Sequence, residues 1–195
     1  MTSLALGTRP VIVDRVVPRF LARDAVLVVG AALLTAAMAQ LSVPVPGSPV
    51  PITGQTFAVL LTAAALGPLR GTAGQATYVL LGMVGLPFYS DGQGGLDAAF
   101  GATAGYLLGF VVAAFLVGTL ARRGLDRHPL GVLVAFAVGT VAIYGLGVPW
   151  LAYSVDVSLA EAVEIGLTPF LVGAALKAFL AAGLLPAAWR LVGDR

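Results

Sequence analysis

Lys177 is the one ionisable side chain well inside any of the long apolar runs of this sequence, in the run 169–189. Thr168-Pro169 suits a helix start, with threonine as N-cap and proline at the first helical position. Lys177 then lies eight residues into the helix, about 12 Å from its start at the usual rise per residue. An ammonium at such depth in a lipid bilayer costs roughly 2.5–3.5 kcal/mol, and intramembrane ionisable groups usually face a bundle interior or a wet cavity. Two roles fit: the long side chain snorkels or hydrogen-bonds a carbonyl, or it serves as counter-ion to an anionic ligand. No Asp or Glu lies within another apolar run, so a ligand would supply the missing negative charge. Such a site takes a few polar groups in an aromatic-lined cavity. The candidates are Gln55 at the start of the second run, Gln75 and Tyr78 in the third, Tyr106 in the fourth, and Tyr89, Asp91, Gln93 and Gly94 in the loop FYSDGQGG (88–95). The glycines around Gln93 let backbone approach a ligand closely, although a glycine-rich loop is also an ordinary turn. Catalysis is another matter. The chain has no cysteine and one histidine, His128. The apolar runs hold no nucleophile–base pair, no paired carboxylates and no metal-ligand set of the kind an enzyme needs.

The elements that must position Lys177 follow from composition. Of 195 residues, 59% are hydrophobic and 10% charged, against about 25% charged in soluble domains. With a mean hydropathy of +0.99, the chain reads as an all-α integral membrane protein with one domain, 25–192, after an N-terminal segment, 1–24, that is cytoplasmic or interfacial. Apolar runs near 25–41, 55–69, 71–86, 98–121, 130–151 and 169–189 predict a six-helix transmembrane bundle. The second and third runs are short, about 22 Å as helices. Arg9, Arg15, Arg19, Arg23, Arg70, Arg122, Arg123, Arg127, Arg190 and Arg195 all fall on one side of a six-span topology, whereas the opposite loops carry only Asp91, Asp97, Asp156, Glu161 and Glu164. The positive-inside rule then places both termini in the cytoplasm. Ala37-Met38-Ala39 also fits a signal-peptidase site, but the basic segment before that run is long for a leader.

Between the first two runs stand Pro44, Pro46, Pro49 and Pro51. Each fixes φ and biases its predecessor toward extended backbone, so the connector loses little entropy on ordering. It suits a preformed cap over an extracellular cavity and equally a rigid spacer that ends the first helix.

Several strings resemble the BioY family, the biotin-specific substrate-binding (S) components of energy-coupling factor (ECF) transporters. They are PVPGSPVPITGQ (44–55), LGPLRG (66–71), GMVGLPF (82–88), GQGGL (92–96), GYLLG (105–109), YGLGVPWL (144–151) and TPFLVGAALK (168–177). The resemblance runs from residue 25 to about 190 and implies a six-helix bundle in a prokaryotic cell membrane, with biotin held in an extracellular-facing cavity under lid loops. That favours the cap reading of the proline connector. It also implies partners: a transmembrane coupling (T) protein and two ABC ATPases, with no cofactor and no nucleic acid. Ala32 and Ala36, in an A-x-x-x-A spacing, resemble the family's coupling-protein contact, where small residues allow close helix approach. In the family's last helix an Asp often precedes the Lys by three residues, both touching biotin; here that position is Ala174. Gln93 or Asp91 is the expected substitute. The expected function is biotin capture for ATP-driven uptake. The alternatives are an S component for another small anionic vitamin and a self-sufficient membrane transporter.

Overall fold

The computed structural model describes residues 9–18 and 20–193; Arg19 and Arg195 lie outside them. The chain runs α1 (Ile12–Val16), α2 (Arg23–Ala39), β1 (Ser42–Val43), β2 (Ile52–Thr53), α3 (Gln55–Leu66), α4 (Pro68–Met83), α5 (Leu96–Ala99), α6 (Ala104–Arg122), α7 (Pro129–Ser154), α8 (Leu159–Gly166) and α9 (Leu171–Val192). The protein is mostly helical, and α2, α3, α4, α6, α7 and α9 fall on the six apolar runs. Among the described residues three helical stretches, Ala104–Arg122, Pro129–Ser154 and Leu159–Val192, are long and apolar enough to cross a membrane; α3 is a shorter apolar helix.

The differences from the sequence reading have local causes. The proline connector is a short antiparallel hairpin, with Ser42 opposite Thr53 and Val43 opposite Ile52. Its prolines sit in the turn between the strands, where a missing N–H removes no ladder bond. The segment between the last two runs holds α8, capped by the Ser158 hydroxyl, which accepts from Glu161 N at 3.2 Å. Thr168 is not the N-cap of the last helix. Its hydroxyl donates back to Val163 O at 3.2 Å, a 3-10 turn covers Thr168–Phe170, and the α-helix begins at Leu171.

Small residues set the spacing of the bundle. At Gly109 a Cβ would stand 2.7 Å from Ile143 Cα, and at Gly74 another would stand 2.7 Å from Ala31 Cβ; both contacts are too close for a side chain, so α6 meets α7, and α4 meets α2, at backbone distance. Gln75 on α4 hydrogen-bonds to Thr35 on α2 and to Thr62 on α3. Gln75 is fully buried and serves as a tie between helices. Leu33, Leu108, Val141, Leu176, Phe179 and Leu184 are all exposed and give the helices an apolar outer surface.

The arginine-rich end is cross-linked by acids. Asp14 pairs with Arg23 at 3.3 Å and Arg70 at 2.8 Å, and Arg70 also pairs with Asp24 at 2.8 Å. Burial by itself pushes the Asp14 carboxyl up, but its hydrogen bond to Arg70 and the charges of Arg70 and Arg23 together hold it below the usual carboxylate value. Nearby, Asp126 is buried and accepts from Trp189 Nε1 at 2.7 Å. The Arg127 guanidinium lies 4.3 Å from the Trp189 ring centre. Burial raises the Asp126 carboxyl above its ordinary value despite these contacts.

Candidate ligand-binding site

At the opposite end, the hairpin, the first turn of α3, the loop after α4 and the facing parts of α6, α7 and α9 enclose about 630 Å³ of empty space, mouth included. Lys177 reaches into it from α9. Its Nζ donates to Thr53 O at 2.6 Å and to Thr56 Oγ1 at 2.8 Å. Both acceptors are neutral, and among the described residues no Asp or Glu is within salt-bridge distance. Thr56 belongs to the first turn of α3, where the helix carries positive partial charge. The ammonium therefore adds to a positive helix end, and a carboxylate placed there would meet both.

Around this point the walls are aromatic and hydroxylic. Tyr106 lies edge-on to Tyr144, ring centres 6.0 Å apart, and Tyr144 lies 6.2 Å from Phe170. The Tyr106 hydroxyl donates to Gly166 O at 2.8 Å and that of Tyr89 to Val79 O at 2.7 Å, so each ring is locked with its apolar body toward the cavity. Gln55 lines the space, yet its amide is committed at both ends, donating to Tyr78 Oη and accepting from Thr53 Oγ1. Tyr78 is fully buried behind it, against the rings of Phe88 and Tyr89. It supports the wall rather than forming it.

Asp91, Gln93 and Gly94 are exposed and do not line the cavity. The reason is the way the loop is pinned. Gln40, at the end of α2, donates to Tyr89 O at 3.1 Å and accepts from Gly92 N at 3.0 Å, and Asp91 takes the left-handed backbone conformation, φ 58°. That turn sends Tyr89 and Ser90 into the cavity and the next residues away from it. A Cβ on Gly94 would stand 2.3 Å from Leu86 O, so this glycine serves packing within the loop. Ala32 and Ala36 are also displaced from their expected role. Both are buried in the chain's own core, because the A-x-x-x-A face of α2 turns inward, so neither side chain is open to a coupling protein.

The structure adds wall residues that the sequence reading did not single out: Thr53, Thr56, Ser90, Thr103, Tyr144 and Phe170. Thr53 and Thr56 flank Gln55, and Tyr144 opens the YGLGVPWL string, so adjacency to motifs was the available signal. Beneath the ammonium a smaller space of about 260 Å³ is walled by Thr56, Thr140, Tyr144, Ala174 and Lys177 among others. Ala174 and Lys177, three residues apart, thus border the same hollow, as that spacing on a helix requires.

The cavity thus holds a lysine against neutral acceptors, under a proline hairpin and beside a pinned loop. The profile of the BioY family matches residues 9–194. The chain belongs to the BioY family. It is 40% identical over 126 residues to the biotin transporter BioY of Thermotoga maritima, covering 65% of this chain and 73% of that one. Biotin transporter BioY2 of Lactococcus lactis subsp. cremoris is 34% identical over 157 residues, 79% of this chain and 82% of that one. In three dimensions the chain is similar to the crystal structure of the S-component for biotin from an ECF-type ABC transporter. The TM-score is 0.79 at 21% identity, covering 87% of this chain and 92% of that one. At that identity the likeness is one of architecture alone.

Proposed function

We propose that this chain is a biotin-binding membrane subunit that captures biotin outside a prokaryotic cell and passes it inward with an ATP-driven ECF module. The observation that carries the reading is Lys177: a cation in the wall of an aromatic cavity, hydrogen-bonded only to neutral oxygens. Biotin offers a carboxylate for Lys177, an apolar chain and thioether for Phe110, Phe170 and the tyrosine rings, and a ureido group for hydroxyls such as those of Ser90, Thr103 and Tyr144. On binding, the carboxylate would take over the hydrogen bonds that Lys177 now gives to Thr53 and Thr56, an ion pair in place of bonds to neutral acceptors. Because Thr53 ends the hairpin, the same exchange would link ligand capture to the position of the cap.

In this reading all six long helices span the plasma membrane, with both termini cytoplasmic. Support comes from the charge asymmetry: the arginines gather at the end where Arg9 N bonds Arg122 O and Arg70 bonds Asp14, and the cavity opens at the end whose loops carry acids. The subunit performs no bond chemistry of its own and needs no cofactor. ATP hydrolysis belongs to two ABC ATPases joined through a T protein, and release follows docking on that module.

The test is equilibrium binding of labelled biotin to purified wild type and Lys177→Ala, with desthiobiotin, lipoate and thiamine as competitors. Loss of about 2 kcal/mol or more in the variant, as for truncating one partner of a buried charged pair, supports the reading. Wild-type affinity in the variant removes Lys177 from the site, and tighter binding of lipoate or thiamine than of biotin reassigns the ligand.

A further inference from the structure

The arginine-rich end holds a second, open hollow of about 1310 Å³, walled by Arg9, Arg15, Arg23, Arg70 and Arg122 with only Asp14 and Asp24 to oppose them. Both acids are already engaged, Asp14 by Arg23 and Arg70 and Asp24 by Arg70. Among the described residues Arg9 and Arg122 have no acidic partner. Arg122 Nε is buried with no hydrogen-bond acceptor beside Gly67, where an added Cβ would stand 3.2 Å from it. The backbone bond from Arg9 N to Arg122 O, 3.0 Å, holds the two residues at one place. Arg23 Nε, in the same wall, is likewise buried without an acceptor, and such groups call for a partner. The fork of an arginine is matched by a phosphate oxyanion.

We propose that this hollow binds the phosphodiester headgroup of an anionic phospholipid, with Arg9 and Arg122 as its principal contacts. What separates a lipid from free phosphate is the lip of the hollow. Phe20 and Leu21 form part of its wall, and Val16, Phe20 and Leu21 are all exposed. Apolar side chains beside a basic hollow suit acyl chains at the membrane boundary, whereas a free phosphate ester would leave them in water. The lipid would fix the α1 segment to the bundle and hold the basic end at the membrane surface. This inference rests on the membrane reading but not on which ligand the upper cavity takes.

The experiment uses the full chain purified in neutral detergent, supplied with phosphatidylglycerol or phosphatidylcholine, with retained lipid counted by native mass spectrometry. We expect phosphatidylglycerol to be held about tenfold or more tightly than phosphatidylcholine, from the usual attraction per arginine near an anionic headgroup. The preference should fall with salt and be lost in Arg9→Gln/Arg122→Gln, while Arg123→Gln, outside the hollow, keeps it. Biotin binding measured on the same samples should be unchanged in the double variant, so that a fault in the ligand reading and a fault in this one register separately. Equal retention of the two lipids, or a preference that survives the double substitution, overturns the proposal. Displacement of the lipid by millimolar glycerol phosphate overturns the lipid assignment in favour of a free phosphate ester. If the double variant does not fold, Arg122→Lys, which keeps the charge but not the fork, should weaken retention severalfold; no change there also overturns it.

Discussion

The two ends of the bundle hold their cations in opposite ways. At the basic end, Arg23 and Arg70 are tied to Asp14 and Asp24 in a network that clasps α1 and α2 to α4. At the cavity end, Lys177 has no acidic partner among the described residues and rests on a backbone carbonyl and a threonine hydroxyl. Paired charge there serves architecture; charge satisfied only by neutral groups is available to a ligand. A carboxylate near Lys177 would stabilise the empty state and compete with an anionic guest, since removing one member of a buried pair is costly whichever member leaves.

This contrast can be broken in several ways. The largest effect is expected at Lys177: Lys177→Met should weaken biotin binding by about 2 kcal/mol or more, roughly thirtyfold, while the thermal midpoint of the empty protein holds or rises because a desolvated cation has been replaced by an apolar chain. A fall in thermal stability with intact biotin affinity would reverse the roles assigned to the two ends. Next comes Asp14→Asn, which takes the shared acid from Arg23 and Arg70; a loss of roughly 1 kcal/mol in stability is expected, since the pair is partly exposed and solvent screens it. The pH dependence has a definite sign. Because the folded Asp14 carboxyl lies below its unfolded value, its contribution is fully present above about pH 4 and fades as pH falls through the folded value. An acid melting series on wild type and Asp14→Asn should therefore differ above that pH and converge below it.

Tyr144→Phe should cost about 1 kcal/mol in biotin affinity, the usual worth of one neutral hydrogen bond, with no change in melting. Asp126→Asn sharpens the comparison from the other side. Burial raises this carboxyl, so its charged form opposes folding as pH rises past its unfolded value. The amide retains an acceptor for Trp189 Nε1, and stability at pH 7 should be equal or slightly higher, read as the thermal midpoint. The smallest effect is expected for Gln93→Ala, whose biotin affinity should stay within about 0.5 kcal/mol of wild type, as for an exposed residue away from a site. A large loss there would show that the loop refolds over the ligand.

Much of the architecture was legible along the chain. The six apolar runs and the turn chemistry between them foretold α2, α3, α4, α6, α7 and α9 in the right places, because a long apolar segment bounded by turn residues satisfies its backbone most simply as a helix. Lys177 stood out for the same reason, as an expense in an otherwise apolar helix. The faces of those helices were less readable. Ala32 and Ala36 looked like an outward contact and turned inward, since in an alanine-rich helix the small-residue spacing recurs on more than one face. Gln93 and Asp91 looked like ligand partners and point away, because a left-handed turn at Asp91 and the clamp from Gln40, some fifty positions earlier, decide which side of the loop meets the cavity.

Sequence by itself determined which segments are apolar enough to form long helices, which are polar connectors, and where a lone ammonium has to be sheltered. Those are sums over local composition, additive along the chain. Only the tertiary structure decided that Lys177 meets Thr53 and Thr56, that Tyr144 rather than Gln93 shares its cavity, and that Asp14 serves two arginines at once. These are contacts between segments far apart in the chain, set by helix rotation and backbone approach at a few glycines, and no local sum contains them.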